Sequence, residues 1–289
     1  VGELAGVELD GWHPLLATQG LIAALTRWTG RTFEDATPQL EALRRRARRD
    51  QALAAHRQQA PSDPTVTWAR PRVDVKGRAY RSAVAAPALT DEPGALIHVS
   101  VEGRPFSVSR EPEAPPVWLA IDFDADRVDE EFRELDDRAL SVARGAAWRG
   151  ARELLRATAA ESPSALADAP RLFAVLATWI ARTSRSKADE KVRALVAAAP
   201  AWRTVQGERA SVADASTGSG AVRVSAWDGR WLGPEEGERP SPLDGPVLAL
   251  PTDEARRAEL REVLGALWGK GGTRDVTSAL VKLQAKRRV

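Results

Sequence analysis

The chain has no cysteine and no methionine, and it has one tyrosine and three histidines. Without thiols there is no disulfide, no cysteine-ligated zinc, no iron–sulfur cluster and no cysteine nucleophile. Methionine is missing where an ordinary composition would supply about half a dozen. The expectation is therefore a fragment, or a chain that has lost its methionines. His13, His56 and His98 lie far apart in different elements. No pair has metal-ligand spacing, and no serine–histidine–aspartate set can be assembled around them. No apolar run reaches the roughly 18 residues that a membrane helix requires. The first residues, VGELAGVELDG, show neither the basic start nor the apolar core of a secretory leader. A large charge of one sign is also missing. Lys+Arg number 42 against 40 Asp+Glu, a net charge of +2, so the composition demands no whole-protein nucleic-acid footprint. The expectation is a cytoplasmic protein with no cofactor and no membrane partner.

What is present is an ordinary globular balance, 43% hydrophobic and 28% charged over 289 residues. That length can bury a sizeable core in one large domain or two smaller ones. Residues 3–9 read as a short strand. Pro14 to Trp28 reads as a helix ended by Gly30, and 34–58 as a second, mostly polar helix. A β-rich stretch follows: Thr65–Ala69, Arg72–Lys76, Leu96–Val101, a turn at Glu102-Gly103, then Pro105–Ser109. Val117–Phe123 is nearly continuous in apolar residues, as a central strand would be. Phe132, Leu135, Ala139, Val142 and Ala146 then recur at helical steps, as do Leu172, Val175, Leu176, Trp179 and Ile180. Lys187–Ala199 reads as a helix closed by Pro200. Val222, Val224 and Ala226 alternate up to Asp228-Gly229, the strongest short hairpin signal in the chain. Val247–Leu250 reads as a strand, Thr252 as the cap of a helix carrying Leu260, Val263, Leu264 and Leu267, and Arg274–Lys286 as a last helix.

The sharpest candidate for chemistry is Asp122, Asp124 and Asp126 at the end of the predicted central strand. Alternation puts Asp122 and Asp124 on one face, where two carboxylates can hold Mg²⁺. Phosphotransferases and archaeo-eukaryotic primases use such a pair. The primase comparison also wants a Ser-x-His step, and Ser219-Gly220-Ala221 has no histidine. The competing reading is a strand that runs into solvated acids, and it predicts that the two carboxylates do not converge on one ion. Gly265 to Gly271 echoes a phosphate-binding loop, but its spacing is short and it ends a helix where the loop must start one.

The strongest electrostatic feature is the run Arg44, Arg45, Arg46, Arg48 and Arg49 on the second predicted helix. Five arginines in six positions wrap round a helix, so several face solvent together and can meet phosphates or an acidic partner. The alternative is a solvated face paired to neighbours such as Glu41 and Asp50. Ten tryptophans are scattered through the chain and read as core anchors. Trp227 and Trp231, which flank the predicted turn, are the exception and the aromatic interaction candidates.

From about Ala95 onward the order of features resembles the region downstream of the ATP-binding domain in bacterial GHKL proteins related to the heat-shock chaperones. The residues that carry the likeness are a hairpin over Leu96–Phe106, the strand Val117–Phe123, and an acidic step from Asp124 through Arg133-Glu134-Leu135 into a helix. Phe132 stands where the family has serine. Thr204 to Val212, with Gly207 and Ser211, is similar to a glycine-to-serine step after that family's middle domain. The family's ATP site needs a helical asparagine, a D-x-G-x-G step and a glycine lid, and this sequence has none of the three. The resemblance therefore implies the part of such a protein that lacks the ATPase. Val7 to Pro14 and Gly20 to Leu25 look like the opening of some CRISPR effector subunits.

The fold expected is α+β: a mixed or antiparallel sheet with packed helices and a smaller mixed C-terminal lobe. The expected division is 1–60 as a helical N-terminal segment, 61–200 as the core domain and 201–289 as the lobe. The function expected is a non-enzymatic protein-interaction or chaperone-like module with a protein partner. The alternatives are a nucleic-acid-binding subunit of a prokaryotic assembly and a magnesium-dependent phosphotransfer enzyme using Asp122 and Asp124.

Overall fold

The computed structural model describes residues 18–33, 35–61, 71–88, 93–168, 172, 175–176, 179, 187–216, 220–227, 229, 231–268 and 272–288. The strands expected at 3–9 and at Thr65–Ala69 lie outside the described residues. The fold is α+β, and by its internal contacts the chain forms two compact units. One unit is Val1–Ala60 with Ala125–Asp136; the other is Pro61–Asp124 with Asp137–Val289.

The smaller unit is built on two helices. α1 (Gln19–Thr29) starts at Thr18, whose hydroxyl accepts from the Leu21 amide at 3.4 Å. It stops at Gly30, which takes the left-handed conformation at φ 64° that glycine adopts without a Cβ clash. α2 (Thr37–Gln58) starts next to Pro38, which sacrifices no helical hydrogen bond at that position. Asp35 Oδ1 accepts from the Thr37 amide at 2.9 Å. His56 is the buried residue of α2, with its ring 5.3 Å from that of Phe132.

Phe132 does not begin a helix, contrary to the periodicity of the sequence. It sits at φ 53° in a loop that Asp129 organises, with Asp129 Oδ1 accepting from the amides of Arg133 at 2.6 Å and Glu134 at 3.2 Å. A carboxylate that binds local amides competes with helix formation. Val128 and Leu135 close the loop as an antiparallel bridge.

The larger unit carries a five-stranded mixed sheet in the order β1-β2-β5-β3-β4. The strands are β1 (Val73–Asp74), β2 (Ser82–Pro87), β3 (Ala95–Val101), β4 (Arg104–Glu111) and β5 (Val117–Phe123). β5 is central, as its apolar run predicts. It pairs parallel with β3 and antiparallel with β2. β2 went unrecognised in the sequence because Ser-Ala-Val-Ala-Ala-Pro has one β-branched residue and weak strand propensity. β3 and β4 are joined by Glu102 and Gly103, at φ 52° and 80°, the two positive values that a tight hairpin turn needs.

The chain then crosses over β3 to reach β5. Gly94, at φ 90°, lies beneath this crossing, and a Cβ there would sit 2.3 Å from the Glu111 carbonyl oxygen. Pro112, Pro115 and Pro116 fill the crossing with residues that require few hydrogen-bond partners.

α3 (Asp137–Glu161) packs across β1, β2 and β5. Its buried stripe is Ala139, Ala143, Ala146, Ala147, Gly150, Ala151, Leu154 and Leu155, residues three and four apart as one helical face requires. The facing strands contribute Ile97, Leu119, Ile121 and Phe123, each no more than 2% exposed. α4 (Pro163–Asp168) follows, then buried helical residues Leu172, Val175, Leu176 and Trp179, then α5 (Lys187–Ala198). Asp189, in the first turn of α5, is 3% exposed and meets Arg152 of α3 at 2.7 Å.

The remaining strands are short. β6 (Trp202–Arg203) pairs with β7 (Arg209–Ala210). β8 (Val222–Ser225) lies between β9 (Leu248–Ala249) and β10 (Thr273–Asp275), parallel to both. The hairpin expected at Asp228-Gly229 is therefore not formed. Asp228 is outside the described residues, and the described residues after it contain no strand before β9. The physical reason is at the strand end, where Thr277 Oγ1 accepts from the Ala226 amide and Ser225 Oγ from the Trp227 amide. Both edges of β8 are likewise taken, by β9 and β10. α6 (Glu254–Trp268) is capped by Asp253, which accepts from the Arg256 amide at 2.9 Å, and not by Thr252. The last predicted helix splits into β10 and α7 (Thr277–Arg287).

Gly94→Ala should destabilise the protein by about 2–4 kcal/mol, since it combines a left-handed strain with a backbone clash. Urea unfolding would show a lower midpoint with an unchanged slope; an unchanged midpoint would contradict the crossing described above.

Candidate functional site

The arginine run lies on the middle of α2. Arg44, Arg45, Arg46 and Arg48 are exposed, and among the described residues no carboxylate pairs with them. Arg49 is different. Its Nη2 donates to the Ala125 carbonyl at 2.6 Å, and its guanidinium lies over the Phe132 ring at 5.8 Å. The fifth arginine is thus an anchor inside the smaller unit, while the other four form the outward charge. Sequence spacing alone grouped all five, because the burial of one helical position depends on a loop 76 residues further along the chain.

α1 presents a second surface. It has no buried residue, and Leu21, Ile22 and Trp28 are 46%, 38% and 85% exposed. Phe33, just beyond it, is 40% exposed. The sequence had placed Trp28 with the core tryptophans. Trp179 and Trp202 do occupy the core, but Trp28 does not. The only hint in the sequence was the apolar spacing Leu21, Leu25 and Trp28 on a short helix flanked by Arg27 and Arg31. Trp12 and Trp68 lie outside the described residues.

Asp122 is occupied by the fold. Its Oδ1 accepts from Ser100 Oγ at 2.9 Å and from the Gly103 amide at 2.8 Å, and its Oδ2 lies 3.3 Å from Arg81 Nε. This carboxylate ties the β3–β4 turn to the end of β5. Asp124, two residues on, is exposed, and Asp126 is exposed beside Arg127. Among the described residues no group of three or more histidine, aspartate or glutamate side chains is arranged to hold a metal ion.

Trp227 and Trp231 pack edge to face, with ring centroids 6.0 Å apart and planes at 83°. Both are half-buried. Trp231 also packs on Val247, Val276 and Leu280, with the Arg287 guanidinium over its ring at 5.2 Å. Arg287, whose side chain is 3% exposed, meets Glu238 at 3.0 Å and Asp244 at 2.9 Å. The hydrogen bond that Arg287 donates to Asp244 raises the arginine pKa above its ordinary value. Burial opposes the ionisation of Asp244, yet hydrogen bonds from Arg287 and the Ser241 amide hold its carboxyl below the usual range.

On β8, the Arg223 guanidinium donates to the carbonyl of Pro242 and, at 3.3 Å, to that of Ala215. Burial pulls its pKa down. Gly265, part of the phosphate-loop echo, lies within α6; 269–271 are outside the described residues.

His98 is half-buried on β3 with its ring 6.2 Å from that of Trp118. Burial lowers its pKa. No protein-family model and no curated protein matches the chain.

Asp122→Ala should cost about 1–3 kcal/mol, because it strips partners from Ser100, the Gly103 amide and Arg81. Asp122→Asn, which keeps an acceptor, should cost less. Equal losses in urea melts would show that the hydrogen bonds carry nothing. His98 gives a pH dependence of known sign. With a folded pKa below the ordinary value of about 6.5, its contribution is full above that pH and is lost as pH falls towards the depressed folded value. His98→Gln should flatten the decline of stability between about pH 7 and pH 5 relative to the parent; parallel curves would contradict the assignment.

Proposed function

We propose that the protein is a non-enzymatic protein-interaction module of chaperone-like type, without an ATPase site of its own, that docks through α1. The observation that carries this reading is an amphipathic helix that buries none of its residues and leaves Trp28 85% exposed. Leu21, Leu25 and Trp28 fall at i, i+4 and i+7, the spacing with which a helix anchors in an apolar groove. Tryptophan is the residue most enriched at interface hot spots. Residues 18–33 contain Arg27 and Arg31 and no acid, so the complementary groove is apolar with carboxylates at its rim. The resemblance of residues 95–289 to the non-ATPase region of GHKL chaperone relatives supports a role in handling a protein partner. The commitment of Asp122 to Ser100, Gly103 and Arg81 weighs against the phosphotransfer alternative.

The test places a photo-crosslinking phenylalanine derivative at position 28 of the full chain in its native cells. The expected result is one dominant heterologous protein adduct. With that partner in hand, Trp28→Ala should weaken binding on the order of 30-fold. Adducts only to the chain itself, or affinity unchanged in the variant, would sink the reading. Titration calorimetry with ATP and Mg²⁺ should give no binding heat, and turnover of ATP would move the protein into the enzyme class.

A further inference from the structure

We infer that the outer face of α2 is a binding site for the phosphate backbone of a nucleic acid, held by Arg44, Arg45 and Arg48. The site is separate from the apolar face of α1 and does not rest on the reading given to that face. At about 100° per residue, positions 44, 45 and 48 share one sector of the helix roughly 100° wide, and 44 and 48 stand about 6 Å apart along the axis. All three side chains are exposed. The result is a short, dense row of guanidinium groups on regular structure.

This row is locally unfavourable. Arg44 with Arg48, and Arg45 with Arg49, are like-charge pairs at i, i+4, each of which weakens a helix. Arg49 relieves one pair by turning to the Ala125 carbonyl. Among the described residues nothing comparable relieves the other pair. Glu41 and Asp50 flank the run on the same helix, yet they form no ion pair with it among the described residues. The loop 125–136 of the same unit holds six carboxylates: Asp126, Asp129, Glu130, Glu131, Glu134 and Asp136. Several are taken within the loop itself, Asp126 and Asp136 by Arg127 and Glu131 by Arg133. A sequence that keeps self-repelling charges unpaired on a rigid element breaks a local rule, and such breaks concentrate at functional sites.

The chemistry favours phosphate over a carboxylate surface. Every cation of the run is arginine, whose planar fork takes two oxygens of a phosphate or of a carboxylate alike, so the density of the row makes the difference. A continuous polyanion also gains from counterion release with every arginine it engages, so a compact row is used fully. An acidic protein surface is the competing class, and it offers separated point charges with no such gain.

The experiment is fluorescence anisotropy of the full chain with labelled oligo-U, oligo-dT and a duplex, each of roughly 20 units, over a range of salt concentrations. The expected result is binding at low salt that weakens steeply as salt rises. R44A/R45A/R48A should flatten the slope of log affinity against log salt by about 2 for a single strand, at about 0.7 per lost phosphate contact. R44K/R45K/R48K should retain most of the slope and lose part of the affinity. Because the side chains are exposed, the urea midpoint of both variants should match or exceed that of the parent. The single strands and the duplex separate the sources of the same phosphate chemistry, and binding by any of them supports the site. Failure of all three probes at low salt, or an unchanged slope in the alanine variant, would overturn the inference. Competition by polyglutamate as effective as by oligo-U would also overturn it, in favour of an acidic protein partner.

Discussion

The close approach of α3 to the five-stranded sheet is the constraint on which the larger unit depends. It is possible because the helix face is built from alanine and glycine. A Cβ on Gly150 would lie 2.5 Å from that of Ala85, so backbone and strand are nearly in contact there. Small residues let the long side chains on either side, Leu154 and Leu155 from the helix and Leu119, Ile121 and Phe123 from the strands, reach full burial. Each such side chain contributes roughly 1.5–3 kcal/mol when removed from water. The same closeness makes the interface intolerant of added volume, since packed interiors have little slack.

Charge in this protein is distributed by task more than by amount. Asp122, Asp189, Asp244 and Arg287 are spent on holding elements together, at turns and helix ends where a carboxylate or guanidinium can satisfy several backbone or ionic partners. Arg49 does the same inside the smaller unit. The four arginines Arg44, Arg45, Arg46 and Arg48 of α2 and the apolar side chains of α1 are exposed instead. Burial, or its absence, separates the residues that build the molecule from those that face solvent.

Much of the architecture was legible from pattern. The central position of β5, the β3–β4 turn and the buried stripe of α6 follow from apolar period and from glycine placement, which are local properties, whereas of the stripe expected for α3 only Ala139 and Ala146 are buried on it. Three readings failed for non-local reasons. β2 has little strand propensity and exists because β5 and α3 supply its partners. Phe132 and Leu135 fit a helical period, but Asp129 claims the amides of that turn. Asp228-Gly229 looks like a hairpin, but β8 takes both its neighbours in parallel from distant segments.

The amino-acid sequence by itself determined the α+β class, the exclusion of thiol chemistry, and which residues carry concentrated charge or aromatic area. Those properties depend on composition and on spacing within a few residues. Only the tertiary structure decided which of those residues are available. Arg49 and Arg48 are neighbours in sequence, and Trp28 and Trp179 are the same side chain. Their accessibility differs because burial is set by elements remote in the chain, whose approach no local period encodes.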